Sequence, residues 1–291
     1  MGKSLRSQDK KSWQIFIVIY ITVFTVFTLI PLYLTIMNSL KDNAAVSGNI
    51  FGFPSFWKQG FFSTIGRNFS LAWSGPGLID GMNVYFWRSV LLAFASAFLT
   101  CVIGTILGYL FTYKTFYFKE GIFIFFLAVM MLPSIMGMPV LVSFVSNTLG
   151  LKDSYVGYLL PILSGGQVTS LFLFRTFFSQ QPKAIYESAR IEGANDMQLY
   201  LTFTVPLALP IILYCFVGSV SSVYNDYLWP ILILRDNLTL MPAMKNLETN
   251  FVNDKGAIYA MYILSSIPLI ITSIISMKFF GSGDFAAGLK L

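Results

Sequence analysis

Six separate stretches of this chain are each apolar for about 20 residues or more, the length a helix needs to cross the hydrocarbon core of a bilayer. They run over roughly 13–37, 86–112, 121–146, 155–178, 200–224 and 257–279. Lipid offers no partner to a free backbone N–H or C=O, so such segments must be helical. Charge agrees: 11% of the 291 residues are charged, against about 25% in a soluble domain. The first run follows Lys3, Arg6, Lys10 and Lys11, as a secretory signal would. It is too long for a signal core and no small-residue cleavage site follows, so it reads as a retained helix. The expected fold class is an all-α membrane protein with six transmembrane helices.

Lys and Arg near the span ends set the orientation. The N-terminal segment, the connector 113–120 (Lys114, Lys119) and the segment 179–199 (Lys183, Arg190, with Arg175 just before) are the rich ones. The connector 147–154 holds Lys152 beside Asp153. Both termini are therefore expected in the cytoplasm, with the loops 38–85 and 226–256 outside. The first outer loop is rich in aromatics ("NIFGFPSFWKQGFF", then "WSGPG") and is expected to pack over the helix ends. The chain has no His, and Cys101 and Cys215 stand far apart in apolar runs. No metal site, no disulfide framework and no catalytic residue is expected.

The letters LSGGQ, Leu163 to Gln167, match the signature of ABC-type ATPases. Such an enzyme also needs a Gly-rich lysine loop for phosphate, and none occurs. The match lies inside a span and is fortuitous. Its adjacent glycines, four residues after Pro161, predict a kink or local unwinding. Met130, Met131, Met136 and Met138 are expected to fill the space at a bend in the third span, where Pro133, Gly137 and Pro139 interrupt the helix.

The inner segment 182–206 reads "PKAIYESARIEGANDMQLYLTFTVP". Pro182 suits a first helical position. Lys183, Glu187 and Arg190 share one face at pairing distance, and Ala184, Ile185, Ser188 and Ala189 form a small-residue face open to a neighbour. Gly193 suits a left-handed helix end, and Asn195 with Gln198 a capping box. Mixed charge and small residues are unlike a lipid-surface helix, so a protein partner is expected.

"YESARIEGANDMQLYLTFTVPLALP" resembles the EAA loop of bacterial ABC importer permeases, the inner-membrane components of binding-protein-dependent transport. Glu187, Ala189, Gly193, Ala194 and Pro206 match that pattern; Ser188, Glu192 and Val205 depart from it. "MMLPSIMGMPVLVSFVSNTLGLKDSYVGYLLP", "YNDYLWPILIL" and the ending "GSGDFAAGLKL" are similar to the carbohydrate-uptake branch, in particular the second permease of maltose-type importers. The resemblance implies a type I importer permease fold in a multi-pass protein of the bacterial cell membrane. Residues 1–84 would form the tail, first helix and outer loop, and 85–291 a core carrying the coupling loop.

It further implies a transport subunit, not an enzyme. This chain would bind no cofactor; ATP and Mg would sit on two partner ATP-binding subunits. A second permease would complete a heterodimer, and an extracellular solute-binding protein would deliver a sugar or oligosaccharide. No nucleic acid is involved. Glu187, Ser188, Ala189, Glu192, Gly193 and Ala194 would form the contact with the ATPase. The loop 235–256 corresponds in place to one that probes the binding protein's cleft, and its polarity fits an ordinary solvated loop equally. An importer of a non-sugar solute is the alternative. An ATP-independent transporter ordinarily needs midplane carboxylates, and a membrane enzyme would need a catalytic constellation; neither pattern is present in the spans.

The candidate substrate path comprises Gln167, Ser164, Asn225, Asp226 and Trp229. An amide at membrane depth either packs through an interhelical hydrogen bond or meets sugar hydroxyls, since it donates and accepts. Trp229 beside Asp226 fits ring stacking or an interfacial aromatic belt.

Overall fold

The computed structural model of the protein describes residues 2–57, 60–75 and 81–281, and every regular element among them is helical. The chain runs through α1 (Gly2–Ser39), α2 (Asn43–Gly48), α3 (Phe61–Ser74), α4 (Met82–Tyr113), α5 (Lys119–Met130) and α6 (Ser134–Ser143), which a π-helical turn extends to Thr148. After α7 (Tyr155–Ser179) and α8 (Lys183–Ile191) come α9 (Asp196–Gln198), a π-turn, α10 (Val205–Leu207) and α11 (Leu209–Tyr224). The chain continues through α12 (Leu228–Ile233), α13 (Leu240–Asn250) and α14 (Lys255–Gly281). Four unbroken segments are long and apolar enough to span a membrane: Trp13–Ser39, Met82–Tyr113, Tyr155–Ser179 and Lys255–Met277. Two bent pairs bring the number to six, and these are the six apolar runs of the sequence.

Proline explains both bends. Lys119–Met130 and Ser134–Thr148 meet at 95°, because Pro133 lacks a donor and drives Leu132 out of the helical region. Met130, Met131 and Met136 are exposed there instead of filling the bend, since a right-angled break leaves no enclosed space. The fifth run is not the single helix expected. Asp196–Leu207 and Leu209–Tyr224 meet at 73° around Ala208, where Pro210 cannot donate to the carbonyl of Pro206 and its ring crowds that oxygen.

The expected unwinding at Gly165–Gly166 does not occur: α7 continues through both glycines and Pro161. Breaking helical bonds in hydrocarbon costs several kcal/mol per group, more than the glycines' intrinsic penalty of about 1 kcal/mol each.

Contacts divide the chain into two units, Met1–Asn83 with Asn246–Ser265, and Val84–Lys245 with Ser266–Leu291. In the first, the side chains from Trp13 to Leu32 are exposed along α1. Thr28 and Thr35 return their hydroxyls to the helix, donating to the carbonyls of Phe24 and Pro31 at 2.8 Å. Lys41, 3% exposed, donates to Asn38 Oδ1 (3.0 Å) and to the carbonyls of Asn49 (3.0 Å) and Ile50 (3.2 Å). Asn68 Nδ2 reaches the carbonyls of Ser39 and Lys41, each at 2.8 Å. The aromatic loop packs over a helix end only in part: Phe53 meets Tyr33 near the end of α1 edge-on at 6.1 Å, while Phe51, Phe53 and Phe62 stay exposed and Trp57 is 99% exposed.

In the second unit α4 crosses α7 closely. A Cβ on Gly104 would lie 2.5 Å from Ser170 Oγ, and one on Gly108 would lie 2.5 Å from Phe174 Cβ. This G-x-x-x-G spacing is a helix-packing device in membranes, and it is plain in the sequence once sought. A core of Cys101, Tyr109, Phe174, Phe178, Tyr186, Leu199, Ala208 and Cys215 surrounds the crossing. Both cysteines are free and buried, as expected.

Candidate functional site

The 182–206 segment is built by local rules. Gly193 takes φ 89°, and its N–H bonds to the Arg190 carbonyl while that of Ala194 reaches Ala189, both at 3.0 Å. This closes α8 as a Schellman end. Two residues later Asn195 and Gln198 form a reciprocal capping box, at 2.8 and 2.9 Å. Pro182 caps α8 and Lys183 opens it, one position later than expected.

The faces of α8 divide differently from the expectation. Tyr186 and Ala189 are buried in the core, with Ile185 packed against it. Ala184, Glu187, Ser188 and Glu192 are exposed, with Ile191 87% exposed. Glu187 pairs with neither Lys183 nor Arg190. Arg190 turns to Asp196 instead (3.6 Å), and Lys114 bridges to the same carboxylate. Ion pairing to a fixed acid across the turn draws Arg190 away and leaves the Glu187 carboxylate facing outward. Gly193 is exposed and Ala194 half-buried.

A cavity of about 690 Å³ lies among α4, α7 and α11, lined by Thr100, Thr169, Ser170, Tyr214, Ser221 and Ser222 along with glycines and apolar groups. Among the described residues no charged side chain lines it. Sequence reasoning notes Thr169 and Ser170 beside Gln167 at membrane depth but misses Thr100, Tyr214, Ser221 and Ser222. Their signal was repetition on one face, in Thr169–Ser170 and "SVSSVY", inside spans that are otherwise apolar.

The residues expected to form the substrate path are only partly brought to this cavity. The α7 residues on its wall are centred about 150° around the helix from Ser164 and Gln167. Gln167 makes no interhelical bond: its Oε1 accepts from Ser170 in its own helix (3.3 Å), and its Nε2 is buried without a partner in the chain. Asn225 reaches the cavity wall by donating to the Ser221 carbonyl (2.9 Å). Trp229 is buried, its indole N–H held by the Tyr158 carbonyl at 3.0 Å, so neither of its faces is free for stacking. Burial pushes the Asp226 carboxyl up against the opposing N–H groups of Trp229 and Leu228.

The segment 235–256 is no simple loop. It contains α13, whose Leu240, Ala243, Met244 and Leu247 are buried. Asp153, itself at φ 56°, anchors its entry: Oδ1 accepts from the backbone N–H groups of Arg235 (2.8 Å), Asp236 and Asn237 (both 3.2 Å). The tail "GSGDFAAGLKL" lies outside the described residues beyond Gly281.

Comparison with known proteins matches residues 100–283, more than half the chain, to the family described as binding-protein-dependent transport system inner membrane component. The arabinooligosaccharides transport system permease protein AraQ of Bacillus subtilis (strain 168) is 26% identical over 221 residues, covering 73% of this chain and 76% of that protein. The sn-glycerol-3-phosphate transport system permease protein UgpE of Yersinia pestis is 26% identical over 287 residues, covering 95% and 97%. Among solved structures, a chain of a bacterial ABC transporter involved in the import of the acidic polysaccharide alginate superposes with TM-score 0.68 at 22% identity, covering 92% of this chain and 97% of that one. That likeness establishes the fold, an all-α importer-permease architecture.

Proposed function

We propose that this chain, which belongs to the family of binding-protein-dependent transport system inner membrane components, is one permease half of an ATP-driven carbohydrate importer. The observation that carries the reading is the two-faced helix α8. One face is fixed in the chain's own core through Tyr186 and Ala189. The other presents Ala184, Glu187, Ser188, Ile191 and Glu192 outward, and among the described residues Glu187 has no ion-pair partner. A short, rigidly capped helix of this kind suits insertion into a groove of a separate ATPase. Ser188, Ala189, Glu192, Gly193 and Ala194 shape and end it, and Glu187 supplies the polar contact. The ATPase pair, a second permease and an external binding protein complete the assembly, and this chain carries no catalytic step of its own. The lysine and arginine bias argues for both termini in the cytoplasm. The division at about residue 84, between an N-terminal segment and a transport core, follows the same reading.

A neutral, hydroxyl-lined cavity favours a polyhydroxylated neutral solute over a charged one, because buried charge needs a countercharge. Asn225 and Asp226 stand at its end, while Gln167 and Ser164 serve α7 from the opposite face. Substituting Gly193→Val tests the coupling reading. Nothing lies within 4 Å of an added Cβ, so the change acts through the left-handed backbone alone, at a cost of about 1–2 kcal/mol. Reduced ATPase association and reduced sugar uptake are expected; normal values of both would reject the reading. Stimulation of ATP hydrolysis by individual sugars, in the complex reconstituted with its binding protein, identifies the substrate.

A further inference from the structure

Between α2 and α3 the chain is apolar outside and polar only toward itself. No charged residue stands between Asp42 and Lys58, and the polar side chains at the base of this segment serve its own backbone. Asn49 Oδ1 accepts the N–H groups of Phe51 (2.9 Å) and Gly52 (3.0 Å). The buried Lys41 ammonium takes the carbonyls of Asn49 and Ile50. The Phe56 N–H bonds to the Pro54 carbonyl at 3.0 Å, and Pro54 has no N–H to satisfy. Backbone paired in this way can leave water at little cost. The segment turns aromatic rings outward: Phe51, Phe53, Phe56 and Trp57 are all exposed. Phe53 rests edge-on against Tyr33 of α1, and Phe56 against Phe61 of α3 at 5.2 Å.

The contact with Tyr33 sets the depth of these rings. The apolar span Trp13–Ser39 rises about 40 Å, close to the thickness of a bilayer with its headgroups, of which about 30 Å is hydrocarbon. Tyr33 lies about 9 Å before the end of that span, so the Phe53 ring sits at about the boundary between hydrocarbon and headgroups. There the aromatic segment joins the exposed apolar side chains of α1. Protein interfaces carry about one hydrogen bond per 100–200 Å², and a segment whose polar atoms bond inward offers few of them. Lipid asks for none, and aromatic rings are favoured at its boundary. We propose that residues 51–57 insert into the bilayer interface beside the end of α1, seating Phe51, Phe53, Phe56 and Trp57 between the headgroups and the first acyl carbons. The inserted rings fix the depth of that end of α1 in the membrane.

The test places a nitroxide label on the full chain in phosphatidylcholine nanodiscs through Phe53→Cys or Trp57→Cys. Phe24→Cys, at an exposed position inside the span, is the lipid reference, and Lys152→Cys, at an exposed position in a connector, is the water reference. Cys101 and Cys215 are buried, so the wild-type chain gives the labelling blank. Power saturation compares access of oxygen, which concentrates in the bilayer, with access of a polar nickel chelate, which stays in water. The oxygen-to-nickel ratio at 53 and 57 should stand several-fold above that at 152 and closer to that at 24. A ratio equal to that at 152 would leave the rings in water and overturn the proposal. Loss of access to both reagents, in this chain alone or in the complex with its partners, would assign the surface to a protein and overturn it as well. An unlabelled measurement guards against a label that drags the segment into lipid. Lipids brominated near the head of the acyl chain should quench a larger fraction of the tryptophan fluorescence of wild type than of Trp57→Phe; equal fractions would also count against insertion. Both readings need only the inserted chain, so their outcome is independent of whether α8 docks an ATPase.

Discussion

Replacing Gly104 by alanine tests how closely α4 and α7 approach. The added Cβ would stand 2.5 Å from Ser170 Oγ and 2.7 Å from Ser170 Cβ. Ordinary contact begins near 3.4 Å, so the Cβ contact alone requires the helices to part locally by about 0.7 Å. The Oγ can rotate aside, but the Cβ is fixed to the helix. Overpacking of this kind costs about 1–3 kcal/mol, opposed by a gain in helix propensity of at most about 1 kcal/mol. The net expectation is a loss of about 1–2 kcal/mol, read as a shift in the unfolding midpoint of the purified chain in detergent micelles. A double-mutant cycle removes the propensity effect. Ser170→Gly deletes both clashing atoms and leaves only the flexible ring edge of Phe174, at 3.1 Å. It should therefore be less harmful, or stabilising, in the Gly104→Ala background, with a coupling of about 1–3 kcal/mol. Additivity within about 0.5 kcal/mol would refute the close crossing and the packing described around it.

Two other perturbations probe the loop segments around Asp153 and Lys41. Although burial pushes the Asp153 carboxyl up, the backbone N–H groups of Arg235, Asn237 and Asp236 together hold it below the ordinary aspartate range. A depressed folded-state value means the anchor is fully present above the unfolded value and is lost as pH falls through the folded one. Hydrogen exchange of the 235–237 amides should accordingly rise, relative to neighbouring segments, only in that acid window, and Asp153→Ala should raise it at neutral pH as well. Lys41→Met leaves three oxygens without their shared donor, for a loss of about 1–3 kcal/mol. Faster proteolysis within 42–57 is the expected sign, and an unchanged cleavage rate would show that burial of the aliphatic stem is what matters there.

The spans, the capped turn at Gly193–Asn195 and the third-span bend were legible because each rests on neighbours in sequence: apolar length, a glycine in place, a proline in place. The 73° bend was less so, since Pro206 and Pro210 had to be read as a pair four residues apart. Side-chain roles within α8 were not legible, because whether Glu187 pairs with Arg190 depends on Asp196, which lies beyond a turn. Gln167 fell for a related reason. Periodicity places it on α7 but does not say which side of α7 the hydroxyl-bearing walls of α4 and α11 occupy. Trp229 looked available as long as Tyr158, 71 residues earlier, was not known to hold its indole.

The turn from α8 into α9 has no slack. The N–H groups of Gly193, Ala194, Asn195 and Gln198 all have partners within the turn itself, so a displacement applied to α8 cannot be absorbed by stretching it. Under the proposed coupling it would pass to Asp196–Leu207 and be redirected at the bend around Ala208 into Leu209–Tyr224, much as a bell crank turns a push into a sideways swing. The 16 residues of that far arm measure about 24 Å, so a rotation of only about 5° moves its tip by about 2 Å. That tip carries Ser221 and Ser222, and the stroke is comparable to the reach of a hydrogen bond. Under the proposed coupling, the bend would give a small movement of α8 enough travel to change which hydroxyls a solute could meet.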